Sequence, residues 1–230
     1  MTHPAISFSV APASAAIAGS AARFPVRRIF CIGRNYAEHA AEMGASVDRG
    51  NPVFFCKPAD ALVADGADIP YPQATQDLHH EVEMVAALHS GGTDIAEADA
   101  LAHVFGYAVG LDLTRRDLQA VAKAKGMPWD SAKAFDRSAP LSAIRAASEV
   151  GHPRIAALTL EVNGSVRQHA DISQMIFSVP EILARLSRLF ELKAGDLVFT
   201  GTPAGVGPLL RGDAFLARLA GIAELRGRIA

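Results

Sequence analysis

The chain has 230 residues, half of them hydrophobic, and its 22 Lys plus Arg against 24 Asp plus Glu give a formal net charge of −2. That is enough apolar sequence for one domain with a sizeable core, or a core with a small appendage. A near-neutral chain without a basic cluster argues against nucleic acid as the main partner. No apolar run approaches the ~20 residues of a membrane span, so no membrane partner is expected.

The opening stretch, MTHPAISFSVAPASAAIAGSAARFPVRR, is rich in small side chains and carries its arginines last, so a secretory leader is not expected. VRRIFCIG predicts a strand and NYAEHAAEMG a short helix closed by Gly44. PVFFCKP predicts another strand. Cys31 and Cys56 sit in apolar contexts and read as buried free thiols of a reducing, cytoplasmic protein. HEVEMVAAL and VFGYAVGLDL come next as strands. TRRDLQAVAKAKG predicts a helix with Thr114 as N-cap, Asp117 three residues on and Gly126 as its stop. ALTLEVNGSVRQHA places an Asn163-Gly164 turn between alternating segments, a hairpin signal. SVPEILARLSRLF has Ser178 and Glu181 at capping-box spacing, with Ile182, Leu183, Leu186, Leu189 and Phe190 on one stripe. KAGDLVFTGTPAGVGPL predicts a turn, a strand and a glycine-rich loop. Strands dominate and regular βαβ alternation is absent, which points to an α+β rather than a doubly wound fold.

Glu81 and Glu83 are the chemically informative pair. Two residues apart in a strand, they share a face, and burying either charge unpaired is costly. Asp112 ends the strand VFGYAVGLDL, so two strand ends could gather three acids. They would form a solvated edge, a set of ion pairs, or the ligands of a hard divalent cation such as Mg²⁺ or Mn²⁺. His39 and Glu42, three apart on a helix, are either an ordinary polar face or a histidine base oriented by a carboxylate. Arg116 and Gln119 have the same spacing near a helix start, where an anion is favoured. Lys133, in WDSAKAFD, reads on its own as a snorkelling lysine. TGTPAGVG can wrap an anion with backbone N–H groups but lacks the ending of a nucleotide-binding P-loop.

Taken together, CIGRNYAEHAAEMG, FFCKPADALV, DLHHEVEMV, LDLTRRDLQ, PWDSAKAFD, VNGSVRQ, MIFSVPEIL and GDLVFTGTPAGVGPL resemble the fumarylacetoacetate hydrolase family, specifically its short single-domain members. They occur in the family's order over roughly residues 26–213. The resemblance implies a strand-dominated α+β fold, a mixed β-roll or sandwich with a few short helices. It implies a catalytic domain at 26–230 with residues 1–25 packed on it, in a homodimer. It implies Glu81, Glu83 and Asp112 as ligands of Mg²⁺ or Mn²⁺, with Ca²⁺ as a substitute in crystals. His39 and Glu42 match a water-activating dyad on a lid helix. Arg116, Gln119 and Lys133 match substrate-contacting positions, Lys133 also stabilising charge on oxygen, and Thr202 matches the threonine of the glycine loop. Larger relatives carry a further acid where this chain has Ile32-Gly33, so water is expected to complete the metal's shell.

The implied partner is a small diketo acid, and the implied reaction is hydrolysis of its carbon–carbon bond. Over its whole length the chain resembles short bacterial members that split 3-fumarylpyruvate into fumarate and pyruvate on the gentisate route of aromatic catabolism. Arg34 is a candidate for the distal carboxylate, with a structural ion pair as the alternative. Rival readings keep the site for acylpyruvate hydrolysis, oxaloacetate decarboxylation or isomerisation of 2-hydroxyhepta-2,4-diene-1,7-dioate. More distant rivals are a non-catalytic acid-binding module and Schiff-base chemistry at Lys133.

Overall fold

The computed structural model describes residues 8, 10–42, 44, 49, 50 and 52–230. Residues 1–7 and 9 of the expected N-terminal segment lie outside these, as does Met43 of the expected helix NYAEHAAEMG. The chain is strand-dominated, as the sequence predicts. A large mixed sheet runs, in spatial order, through Val53–Lys57, Arg28–Gly33, Asp196–Phe199, Val82–Leu88, Val104–Leu111, Ala139–Leu141 and Leu62–Ala64, with Arg145–Ala146 also on Val104–Leu111. A five-stranded sheet runs through Ser165–Asp171, Ala157–Val162, Ala214–Leu219, Ala223–Ile229 and Asp68–Ile69.

The large sheet is buried on both faces, which is why its strands read as unbroken apolar runs. Met84, Ala86 and Leu88 point into one core cluster with Leu158, Leu160 and Ala217 of the smaller sheet. Val85 and Ala87 point into a second cluster with Ile29, Cys31 and Phe199. Ala15 and Phe24, from the hairpin Ser14–Ala16 with Arg23–Pro25, close that second cluster. Among the described residues, no helix is long and apolar enough to cross a membrane.

Turn chemistry is obeyed closely. Asn163 and Gly164 both take positive φ, 51° and 75°, in the hairpin between Ala157–Val162 and Ser165–Asp171. The helix Val179–Leu189 opens on the capping box, with the Ser178 N–H donating to Glu181 Oε2 at 2.7 Å. Its apolar stripe ends sooner than the spacing suggests: Ile182, Leu183 and Leu186 are buried, whereas Leu189 and Phe190 are exposed.

Four other expectations are corrected. HEVEMVAAL is not one strand but two, Leu78–His80 and Val82–Leu88, broken at Glu81 because the first piece pairs in a separate small sheet with Thr114–Arg115 and Gly207–Pro208. Thr114 is not a helix cap. It lies in that small sheet with its hydroxyl donating to the Asp112 carbonyl at 3.1 Å, and the helix starts at Arg116. Asp117 makes no cap with Thr114 but accepts from Thr75 and Gln76 instead. Cys31 is buried as expected, but Cys56 is exposed, because its strand is the edge of the large sheet.

Gly201 shows how tightly the loop after Asp196–Phe199 is held. Its φ is +93°, and a Cβ there would lie 2.6 Å from Asn35 Cβ. The side chain of Asn35 bridges the Thr200 and Phe177 carbonyls at 2.7 and 2.9 Å, so it has no room to give. We expect Gly201→Ala to destabilise the protein by about 1–3 kcal/mol through backbone strain alone. Denaturant unfolding would show this as a lower midpoint with an unchanged slope.

Candidate active site

The acidic residues come together because of one antiparallel ladder. Val82 lies opposite Leu111, and one step beyond the ladder the Asp112 N–H donates to the Glu81 carbonyl at 2.9 Å. Glu81 and Asp112 therefore sit side by side at the open end, with Glu83 one pleat further in, opposite Gly110. All three are buried, and their carboxylate oxygens lie within 4.8 Å of one another.

Three cations face these three acids, Lys57 and Lys133 fully buried and Arg116 largely so. Lys133, from the short helix Asp130–Lys133, donates to Glu81 Oε2 at 2.7 Å and Asp112 Oδ2 at 2.6 Å. Arg116 donates to Glu81 Oε1. Lys57 Nζ lies 2.8 Å from Asp112 Oδ1 and donates to the Leu113 and Lys133 carbonyls. Lys133 is thus no snorkelling lysine, since only 2% of it is exposed. Burial alone would push its ammonium pKa down, but Asp112 and Glu81 outweigh burial and hold it up. Burial likewise opposes ionisation of Glu81, yet Lys133 and Arg116 hold its carboxyl well below the usual range.

Glu83 is different. Burial, then the nearby Asp112 and Glu81 charges, push its carboxyl well up, and its hydrogen-bond donor is the Gly201 N–H at 2.6 Å. A buried acid disfavoured as an anion by two like charges is what a further cation would relieve. Asp112 Oδ1 is buried and accepts no well-directed hydrogen bond, although Lys57 stands close by. Oxygen donors alone, and no sulfur, suit a hard divalent ion. The trio fits such an ion on this chemistry. Among the described residues no fourth acid joins it, and Ile32 and Gly33 line the cavity instead.

His39 sits on the helix Ala37–Glu42, just beyond the strand Arg28–Gly33. Its Nδ1 is 3.3 Å from Glu42 Oε2, and the Gly205 N–H points at the same carboxylate at 3.2 and 3.3 Å. Glu42 thereby ties the helix to the glycine loop. Burial pushes the His39 pKa below 6.5, against the opposing pull of Glu81 and Glu42, so the ring is neutral near pH 7. The pairing with Glu42 therefore orients the ring, while burial has the larger say over its basicity.

Nine of the ten residues singled out in the sequence line one cavity: His39, Glu81, Glu83, Asp112, Arg116, Gln119, Lys133, Thr202 and Arg34. Glu42 is the exception and is exposed, reaching the cavity only through His39. Arg116 also bonds to Gln119, and its Nε lies 3.3 Å from His79 Nδ1, whose ring is held by Asp77 at 2.9 Å. Thr202 accepts from Gln168 Nε2 at 2.8 Å. Gln168 also accepts from the Val82 N–H at 3.0 Å, which locks the glycine loop to the acid-bearing strand. Lys57, Gln168, Lys123, Phe55 and Trp129 escaped the sequence reading. Of these Lys57 left a signal, as the only charge in PVFFCKP.

A model of the fumarylacetoacetate (FAA) hydrolase C-terminal family matches residues 28–230. A fumarylpyruvate hydrolase from Pseudomonas aeruginosa, solved in complex with Mn²⁺ and pyruvate, is 52% identical, covers 99% of both chains and superposes with a TM-score of 0.96. The oxaloacetate tautomerase YcgM of Escherichia coli is 43% identical over 196 residues, 85% of this chain and 89% of that protein. The mitochondrial oxaloacetate tautomerase FAHD1 of Mus musculus is 42% identical over 203 residues, 88% of this chain and 91% of that protein. With a buried oxygen-donor trio, a neighbouring histidine and these likenesses along its length, the chain belongs to the fumarylacetoacetate hydrolase family.

Proposed function

We propose that this enzyme is a metal-dependent hydrolase that cleaves 3-fumarylpyruvate into fumarate and pyruvate. The observation that carries the reading is the neutral, buried His39 in one cavity with a carboxylate trio that fits a divalent ion. Likeness to the Pseudomonas aeruginosa enzyme over nearly the whole of both chains supports the substrate. Charge supports it as well. The three acids are offset by Lys57, Lys133 and Arg116, and Arg34 and Lys123 border the same cavity, so with a dication the site carries an excess of positive charge. A diketo acid with two carboxylates matches that excess. A cytoplasmic homodimer serving aromatic-acid breakdown by the gentisate route is part of the same reading.

When bound by Glu81, Glu83 and Asp112, a Mg²⁺ or Mn²⁺ ion supplies Lewis-acid charge for the 2-keto-acid end. His39 takes a proton from water as the water oxygen bonds to the distal ketone carbon. Lys133, held charged by its two acids, donates to the oxygen on which charge develops. The bond between the former ketone carbon and the methylene then breaks, releasing the acid. The electron pair passes to the pyruvate fragment, and its methylene takes the proton back. Arg116 and Gln119 hold the keto-acid end, and Thr202, fixed by Gln168, closes it from the glycine loop.

Oxaloacetate tautomerisation is the second reading, favoured by the likeness to the Escherichia coli and mouse enzymes. It needs a base beside a stabilised enolate but no attacking water. Incubation with Mn²⁺ and, in turn, fumarylpyruvate, acetylpyruvate and oxaloacetate separates the two. We expect fumarylpyruvate to be turned over fastest and chelation by EDTA to stop it. Faster turnover of oxaloacetate between its keto and enol forms would move the protein to the second reading.

His39→Ala should lower kcat by about 10²–10⁴-fold, the usual contribution of a general base, and the affinity for pyruvate, by calorimetry, should change little. The sign of the pKa shift sets the pH profile. His39 works as a base when neutral, and burial sets its pKa below 6.5. So kcat/KM should rise with pH through a midpoint below that value. Glu42 raises the His39 pKa, so Glu42→Gln should move the midpoint lower still; an upward move would refute the dyad.

A further inference from the structure

The helix Arg116–Lys125 carries Arg116, Gln119 and Lys123 at spacings of three and four residues, which places them on one face. All three line the cavity that holds the acids. Arg116 reaches Glu81 at its centre, Gln119 is bonded to Arg116, and Lys123 stands two turns further along, roughly 10 Å from Arg116 at 1.5 Å per residue. Lys123 Nζ is set 5.4 Å from the centre of the Trp129 ring, which fixes its direction. Arg34 lines the same cavity from outside this helix, its backbone held in the left-handed region at φ 63°.

Lys123 and Arg34 share an oddity. The inner cations Lys57, Lys133 and Arg116 each contact a carboxylate. Among the described residues, neither Lys123 nor Arg34 does, although both border the same cavity. Two unneutralised like charges facing one cavity are unfavourable until an anion arrives. Partial burial, then the Arg116 charge and those of Arg34 and Lys133, lower the Lys123 pKa against the pull of Glu81, in keeping with such crowding.

We propose that Lys123, braced on Trp129 and assisted by Arg34, is the subsite for the far carboxylate of a seven-carbon dicarboxylic 2-keto acid. This rests on the keto-acid reading above and extends it, since nothing there assigns the distal end to Lys123. Length makes the assignment selective. In an extended seven-carbon diacid the two carboxyl carbons are about 7–8 Å apart, and in a four-carbon one about 4 Å, from C–C bonds of about 1.5 Å. A keto-acid end held at Arg116 thus puts the far carboxylate of the long acid within reach of the lysine, and leaves that of the short acid beside Gln119. The helix grades substrates by length.

The test uses two ligands that cannot be cleaved, 2-oxoheptanedioate and 2-oxoheptanoate, which differ only in the far carboxylate. Calorimetric titration of the Mn²⁺-loaded protein gives the ratio of their Kd values. The native protein should favour the diacid by about tenfold or more, the worth of one charge-assisted hydrogen bond. Lys123→Met keeps the stem on Trp129 but removes the charge, and should cut the ratio by about fivefold or more, leaving only what Arg34 supplies. Lys123→Arg should restore the preference. A native ratio near one, or a preference undiminished in Lys123→Met, overturns the proposal. Failure to cleave fumarylpyruvate with the diacid preference intact would instead remove the hydrolase reading and leave the subsite standing.

Discussion

Three carboxylates buried within 4.8 Å of one another cannot share that space as bare anions, and the architecture around them answers that repulsion. Two elements bring a lysine and one an arginine. Lys57 ends an edge strand of the large sheet, Lys133 ends a short helix, and Arg116 starts a longer one. The cations divide the acids unequally. Lys133 and Arg116 serve Glu81, Lys133 and Lys57 serve Asp112, and Glu83 is left with a backbone N–H. Glu83 is thus the one acid of the trio with no cation in contact among the described residues, on the side where the loop from Gly201 begins.

Holding charges in that arrangement requires stiff supports, and these are neutral. Asn35 makes three backbone hydrogen bonds that join the start of the His39 helix to the Thr200 carbonyl and to Phe177. Gln168 reaches from the smaller sheet to bond Val82, Thr202 and the Pro203 carbonyl. A saturated amide offsets its desolvation with hydrogen bonds on every side, so it can tie three segments together where a charge would perturb the acids.

How much of this was legible in the sequence depends on the range of the interaction. Local signals carried well: the Asn163-Gly164 turn, the Ser178 capping box and the stop at Gly126 each depend on residues a few positions apart. The acids stood out because a charge within an apolar strand demands a reason, but their spacing left a solvated edge, ion pairs and a metal site open, and it was the family resemblance that singled out the last. Failures came where a distant partner overrides a local pattern. Thr114 has a good cap composition, but pairing with His79 draws it into a strand. Glu81 sits in an apparently continuous strand, but the pairing partners change on either side of it. Lys57 and Gln168 act only across long sequence separations, and nothing beside them marks the partner. Leu189 and Phe190 continue the helical period past the point where the helix leaves the core.

The same division of labour bears on chemistry. Breaking the carbon–carbon bond of a diketo acid and shifting a proton in oxaloacetate both place negative charge on the oxygen of a 2-keto acid, so a centre built from the acids, Lys133 and Arg116 is compatible with either of the two proposed reactions. What differs is the need to activate water and the length of acid to be accommodated. On the reading proposed above, the first falls to His39, whose helix is joined to the glycine loop through Glu42, and the second to the cavity's outer reach along the helix that carries Lys123. On that reading, selectivity between the two reactions rests on groups that form no ion pair with the three acids. A change at the rim can redirect the chemistry while the trio and its counter-charges stay as they are.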